Sequence, residues 1–280
     1  MKRFKSFAAI TPIYIFTILT VIFPLGYVLA LSFLTKGEMF GYTWDFTWEN
    51  YSRVASGLYV DVFLESGKIG ILTTLITLAV AYPFAYIMAH KPANRRSLLM
   101  MLVIIPFWTS ALLRTYGWMI LLRNKGIINN ALLFFGFIDE PLPLLFTRGA
   151  VLLGMAYSLL PFMILPIYTS LEKLDGSIES AARDLGANRV KAFLTITLPL
   201  SLSGVLTGGV LVFVPAIGMF FISDLLGGGM GLLLGNLIHN QLTVSRDWPF
   251  GAALSMIMVG LTFLTMGMYR RYIGGELGVF

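Results

Sequence analysis

The sequence predicts an all-α integral membrane protein with six transmembrane helices and both termini in the cytoplasm. Three observations predict it. First, hydrophobic residues make up 57% of the 280 positions and charged residues only 12%, against about 25% charged in a soluble chain. So few charges cannot cover a soluble body of this size. Second, apolar runs of the roughly 20 residues needed to cross a bilayer recur six times. Third, the cations lie between those runs and are unevenly shared. A soluble enzyme, a disordered regulator and a nucleic-acid-binding domain are thereby excluded. The net charge of +6 is a topology signal.

The first span is read near Ile10–Phe33, inside the charge-free run from Lys5 to Lys36. The second is Ile69–Ala89, between Lys68 and His90. Ser97–Leu122 is the third, interrupted only by Arg114. Gly149–Leu171 is the fourth, between Arg148 and Glu172. About Leu200–Ile222 is the fifth, after Pro199 and before Asp224. About Phe250–Tyr269 is the sixth, bounded by Asp247 and Arg270. Two other apolar stretches are not read as spans. Leu225–Ser245 is broken by five glycines and turns polar at Asn236, His239, Asn240 and Gln241, so a loop with a short interfacial helix is expected. Ile127–Ile138 is too short.

Cytoplasmic segments carry excess Lys and Arg. In the six-span arrangement one side holds twelve cations and the other seven, with Arg114 inside a span. Nine acids fall on the cation-poor side and five on the rich one. Both termini therefore go to the cytoplasm. The basic start, Met1–Lys5, could open a signal peptide, but its apolar run is about twice the 7–15 residues of a signal core. An uncleaved first span is expected. Cysteine is absent, and the two histidines, His90 and His239, have no zinc-ligand spacing.

The first outside loop, Thr35–Gly67, gathers Trp44, Phe46, Trp48 and Tyr51. An interfacial aromatic belt and a docking surface for an extracytoplasmic partner both fit it. The cytoplasmic loop Glu172–Leu198 is more specific. Asp175 is placed to cap a helix beginning near Ser177, and Gly186 to end it in a left-handed turn. Asn188 is placed to cap a second helix, Arg189–Ile196, with Pro199 near the start of the next span. The first helix presents the small residues Ala181 and Ala182 beside Arg183 and Asp184. A partner-binding helix–turn–helix and an amphipathic helix on the membrane surface both answer to this pattern.

Ser180-Ala181-Ala182, three residues, Gly186, nine residues, then Ile196-x-Leu198-Pro199 resembles the EAA loop of ABC importer permeases. The family's Glu falls on Ser180, and Glu179 stands one position early, about 100° around the helix. Further stretches resemble the spermidine/putrescine branch of these permeases: Pro106–Ser110, Leu113–Gly117, Leu160–Met163, Ser170–Asp175, Ala181–Ala187, Ser223–Gly228 and Arg246–Gly251. The resemblance implies a type I ABC importer permease (MetI-like) fold in the bacterial inner (cytoplasmic) membrane, multi-pass. On this reading residues 1–66 are the first transmembrane helix and extracytoplasmic loop. Residues 67–270 are a five-helix permease core with a cytoplasmic coupling loop, 172–198, and residues 271–280 are a cytoplasmic tail.

The implied partners are a second permease subunit (PotC-like), an ATPase dimer (PotA-like) gripping the coupling loop and an extracytoplasmic polyamine-binding protein (PotD-like). The implied coupling residues are Glu179, Ser180, Ala181, Ala182, Arg183, Asp184 and Gly186. The chain contains no Gly-x-x-x-x-Gly-Lys-Ser/Thr phosphate loop, so ATP hydrolysis is expected on the partner, with no cofactor and no catalytic residue here.

A polyamine is a flexible polycation, so its path needs carboxylates or carbonyls and aromatic faces. Asp224, directly after the fifth span, is the candidate carboxylate, and its alternative is a water-exposed boundary residue. Trp108, Tyr116, Trp118 and Phe221 are candidate linings, with lipid-facing packing as the alternative. Arg114 is expected to pair with an acid or a helix C-terminus, because an unpaired charge at bilayer depth costs about 2.5–3.5 kcal/mol. Pro161, Pro166 and Pro215 favour kinks, and Gly204, Gly208 and Gly209 allow close helix approach. Competing functions are an importer permease for another small solute and an ATP-independent secondary transporter or channel. The latter usually carries coupling acids within its spans, and none are found.

Overall fold

The computed structural model describes residues 11–37, 41–174, 176–229 and 233–273. Helix α1 (Thr11–Leu31) leads into a hairpin of β1 (Leu34–Lys36) and β2 (Tyr42–Phe46), then α2 (Glu49–Val54) and the long α3 (Gly57–Ala89). Next come α4 (Ala93–Trp108), α5 (Ala111–Leu122), α6 (Ile127–Phe134) and α7 (Arg148–Glu172). The remainder is α8 (Gly176–Asp184), α9 (Arg189–Gly218), α10 (Phe220–Gly227), α11 (Leu234–Thr243) and α12 (Trp248–Ile273). Among the described residues α1, α3, α7, α9 and α12 are long and apolar enough to cross a membrane.

The third span is not the single helix read over Ser97–Leu122. Helix α4 and the stretch Ala111–Phe134 meet at 92°. Pro106 has no N–H to continue the helical ladder, and its ring excludes the carbonyl four residues back. The chain tightens to a 3₁₀ turn over Ile105–Trp108 and becomes extended at Thr109 (ψ 153°). Arg114 then turns back on the freed carbonyls, donating to those of Pro106 (2.6 Å) and Thr109 (2.9 Å). Its guanidinium lies 4.4 Å from the centre of the Phe107 ring. The expected pairing with a helix C-terminus is therefore present.

Two other boundaries move. The second span begins at Gly57 rather than Ile69. Its polar start is compensated, since Glu65 pairs with Arg148 (2.9 Å) and Lys68 (3.8 Å). The fifth span begins as the second helix of the 172–198 loop, and the two are one helix, α9, ending at Gly218 rather than Ile222. Met219 (φ −81°, ψ 82°) breaks the helical path before α10. Pro199 does not interrupt α9, because a π turn over Phe193–Thr197 precedes it and Leu198 N–H reaches back to Phe193. The wider turn relieves the clash between the proline ring and the carbonyl at i−4. The same device precedes Pro24 in α1, where the π turn covers Ile18–Ile22. Pro161 and Pro166 lie inside a continuous α7, and Pro215 inside α9. As expected, Leu225–Ser245 forms no span. It contains the end of α10, a left-handed Gly228 cap and the short α11.

The chain divides into two bodies. One comprises residues up to Asp61 together with Leu237–Phe263. In it β1 and β2 pair antiparallel, with Leu34 opposite Phe46 and Lys36 opposite Tyr42. Phe33, just past α1, stacks on Phe46 (5.5 Å) and meets Trp48 edge-on (4.9 Å). Buried Asn50 donates to the carbonyl of Ser32, just past the end of α1, and to that of Leu34 in β1. Buried Asp247 pairs with Arg53 at 3.0 Å.

The other body comprises Val62–Asn236 and the chain from Leu264. Helices α7 and α9 pack along each other in its centre. Gly208 comes so close that a Cβ there would stand 2.7 Å from Met163 Sδ. Along α3 the buried positions include Gly70, Thr73, Thr77, Ala81 and Ala85, while Ile71, Leu72, Leu75, Ile76 and Val80 are exposed. Between Gly70 and Ala85 the buried positions are small residues, and large apolar ones face outward. Lipid is as apolar as leucine, so helices in a bilayer associate through close packing of small residues.

Candidate functional site

The Gly186 turn and the Asn188 cap of the 172–198 segment form as the sequence predicts. Helix α8 ends in a Schellman motif: Gly186 (φ 89°) donates to Arg183 O, and Ala187 N–H to Ala182 O at 3.0 Å. Asn188 then caps α9, its Oδ1 accepting from Lys191 N–H at 2.8 Å. Ala181, Arg183 and Asp184 are exposed, Ala182 is half-buried, and the intervening Leu185 is 90% exposed. The backbone of Glu179 and Ser180 is helical; their side chains, and the expected Asp175 cap, lie outside the described residues.

The base of this segment is tied to the body. Arg96, in the first turn of α4, pairs with Glu172 at 3.1 Å. Beside the pair is a cavity of about 250 Å³ bounded by His90, Ile178 and Ile196 among others. The helix–turn–helix thus stands on a charged anchor that joins the start of α4 to the end of α7.

The residues expected along a substrate path are spread over the second body. Asp224 is exposed in the last turn of α10, and its carboxylate accepts from Asn236 Nδ2. Phe221 and Trp118 pack on the cluster containing Ile222 and Leu226. Trp118 also meets Tyr157 edge-on at 5.6 Å. Trp108, 83% exposed, and Tyr116, exposed on α5, point outward. Among the described residues no hydrogen bond or ring contact joins Trp108, Tyr116 or Trp118 to Asp224.

Comparison with known proteins decides the family. Residues 81–273 match the model of the binding-protein-dependent transport system inner membrane component. The chain belongs to that family. The permease is 44% identical over 254 residues to the spermidine/putrescine transport system permease protein PotB of Escherichia coli K12, covering 91% of this chain and 92% of that one. It is 43% identical over 269 residues to PotB of Haemophilus influenzae, covering 95% and 94%. In structure the permease resembles a chain of a bacterial alginate ABC transporter in complex with a periplasmic protein bound to alginate pentasaccharide. The TM-score is 0.78 at 13% identity, over 96% of this chain and 94% of that one. It also resembles a chain of an amino acid ABC transporter, with a TM-score of 0.51 at 16% identity, over 79% and 96%. It is accordingly a multi-pass inner-membrane transport component with the ABC importer permease fold.

Sequence reading missed three parts of these sites. Arg96 and Glu172 are 76 positions apart, so nothing local pairs them. Asn236 carries no sequence signal beyond its polarity. Glu65, within the loop read over Thr35–Gly67, sits on α3 as the partner of Arg148.

Proposed function

We propose that this permease forms the translocation path of an ATP-driven importer of polyamines, spermidine and putrescine. The observation that carries the reading is 44% identity to a spermidine/putrescine permease over 91% of the chain. The proposed partners are a PotC-like second permease, a PotA-like ATPase dimer and a PotD-like binding protein. ATP binding closes the ATPase dimer against α8, and the Schellman turn passes the movement into α9, which is both the second helix of the loop and a spanning helix. Coupling of this kind requires ATP to favour one state of the path over another. The coupling residues are Glu179, Ser180, Ala181, Ala182, Arg183, Asp184 and Gly186. Asp224 is the carboxylate of the path, with Phe221 and Trp118 behind it and Trp108 and Tyr116 as further aromatic contacts. The termini lie in the cytoplasm.

The test is uptake of radiolabelled spermidine by proteoliposomes holding the assembled transporter and its binding protein. Uptake that needs internal ATP and is competed by putrescine supports the reading. Uptake by vesicles holding this chain alone, without ATP, overturns it.

A further inference from the structure

Asp224 differs from the other carboxylates that the fold holds in place. Glu65 is met by Arg148, Glu172 by Arg96 and Asp247 by Arg53. The partner of Asp224 is the neutral amide of Asn236, and among the described residues no ion pair reaches it. Its position adds to the imbalance. It stands in the last turn of α10, where open carbonyls make the helix end negative. Such a helix end favours a positive charge rather than a carboxylate.

Asn236 supplies a second, independent observation. The residue is 4% exposed. Its Nδ2 lies between two acceptors, the Asp224 carboxylate and the Phe220 carbonyl (3.2 Å). Two acceptors fix the orientation of the amide, because the oxygen cannot take the place of the nitrogen. The amide oxygen is thereby committed as an acceptor, yet it is buried and has no hydrogen-bond partner among the described residues. A buried acceptor without a donor is costly. The setting is also built. Gly235 packs on the Gly218 carbonyl at the end of α9, and Leu234 N–H bonds Ser66 Oγ at 2.7 Å. The first turn of α11 is thus held in the break between α9 and α10.

The cluster lacks one positive charge and N–H donors to a buried oxygen. A primary ammonium brings both in one compact group with three donors. We infer that Asp224 and Asn236 form a site for the terminal ammonium of an alkyl polyamine. Asp224 supplies the charge. Asn236 supplies the second acceptor and holds the carboxylate in place. The inference rests on the polyamine reading above and assigns to it a specific pair of ligands.

The natural chain has no cysteine, so L225C places a single thiol beside the carboxylate without altering it. In proteoliposomes of the assembled transporter, the thiol is reacted with a cationic and an anionic methanethiosulfonate reagent. The cationic reagent should react at least about fivefold faster, as expected of a neighbouring unit charge in partly screened surroundings. Spermidine, but not Mg²⁺ at matched ionic strength, should slow it severalfold. D224N should abolish both effects. N236L should keep the preference for the cationic reagent and lose the protection by spermidine. Equal reagent rates with and without Asp224, or full protection in N236L, would overturn the site. Spermidine uptake by the same vesicles separates the two claims. Uptake without protection of the thiol overturns the site alone, whereas absence of any polyamine uptake overturns the cargo reading.

Discussion

Arg114 shows how one residue can decide the course of a span. Its guanidinium holds the carbonyls of Pro106 and Thr109 at the corner of a 92° bend. Charge-assisted hydrogen bonds are about twice as strong as neutral ones. R114L should therefore lower the stability of the assembled transporter by about 2–3 kcal/mol, read as a lower midpoint in a thermal-unfolding series in detergent. R114K, which keeps the charge but not the planar fork, should recover part of the loss. A midpoint for R114L equal to that of the natural protein would mean that the corner is held by other contacts. The sequence marked Arg114 as the one charge inside a span and its pairing with a helix end as the solution. It did not mark the bend, because the partner carbonyls are backbone groups that carry no sequence signal of their own.

Helix α9 is the element that unites the two ends of the proposed mechanism. The π turn over Phe193–Thr197 lets the chain pass Pro199 without a break, so the loop helix and the span are one continuous helix. Gly186, at φ 89°, is the joint between that helix and α8. A side chain there carries about 1–2 kcal/mol of backbone strain, and a large one also occupies the exposed face beside Ala181 and Ala182. G186W should leave membrane insertion intact and ATP hydrolysis measurable while spermidine uptake falls severalfold. Unchanged uptake per ATP hydrolysed would remove the joint from the coupling path. The capping residues of this element were legible because Gly and Asn act on backbone within three residues of themselves. Continuity through Pro199 was not, since it depends on a turn widening that no residue type dictates.

On the scale of the whole molecule, the exposed apolar surface is the largest feature. Helix α1 has no buried position in its most apolar window, and large apolar residues face outward along α3, α5 and α9. Solubilisation in mild detergent should bring down this permease with a second permease and an ATPase in fixed ratio, seen by denaturing gel and mass photometry. A homogeneous single chain that still transports spermidine in vesicles would contradict the assembly. The six apolar runs correspond to five long apolar helices and one pair bent by 92°, because crossing a bilayer is a property of composition over about 20 residues. The start of the second span was displaced because a distant partner, Arg148, neutralises Glu65.

The sequence by itself determined that this chain lives in a membrane, how many times its apolar runs can cross, and that a capped helix–turn–helix joins two of them. Those features follow from transfer free energy and from bonds made within a few residues. Only the tertiary structure decided which charges are spent on one another and which remain. Arg96 answers Glu172 and Arg148 answers Glu65, while Asp224 is left with a neutral amide. Pairing is a matter of distance in space, and chain spacing does not encode it.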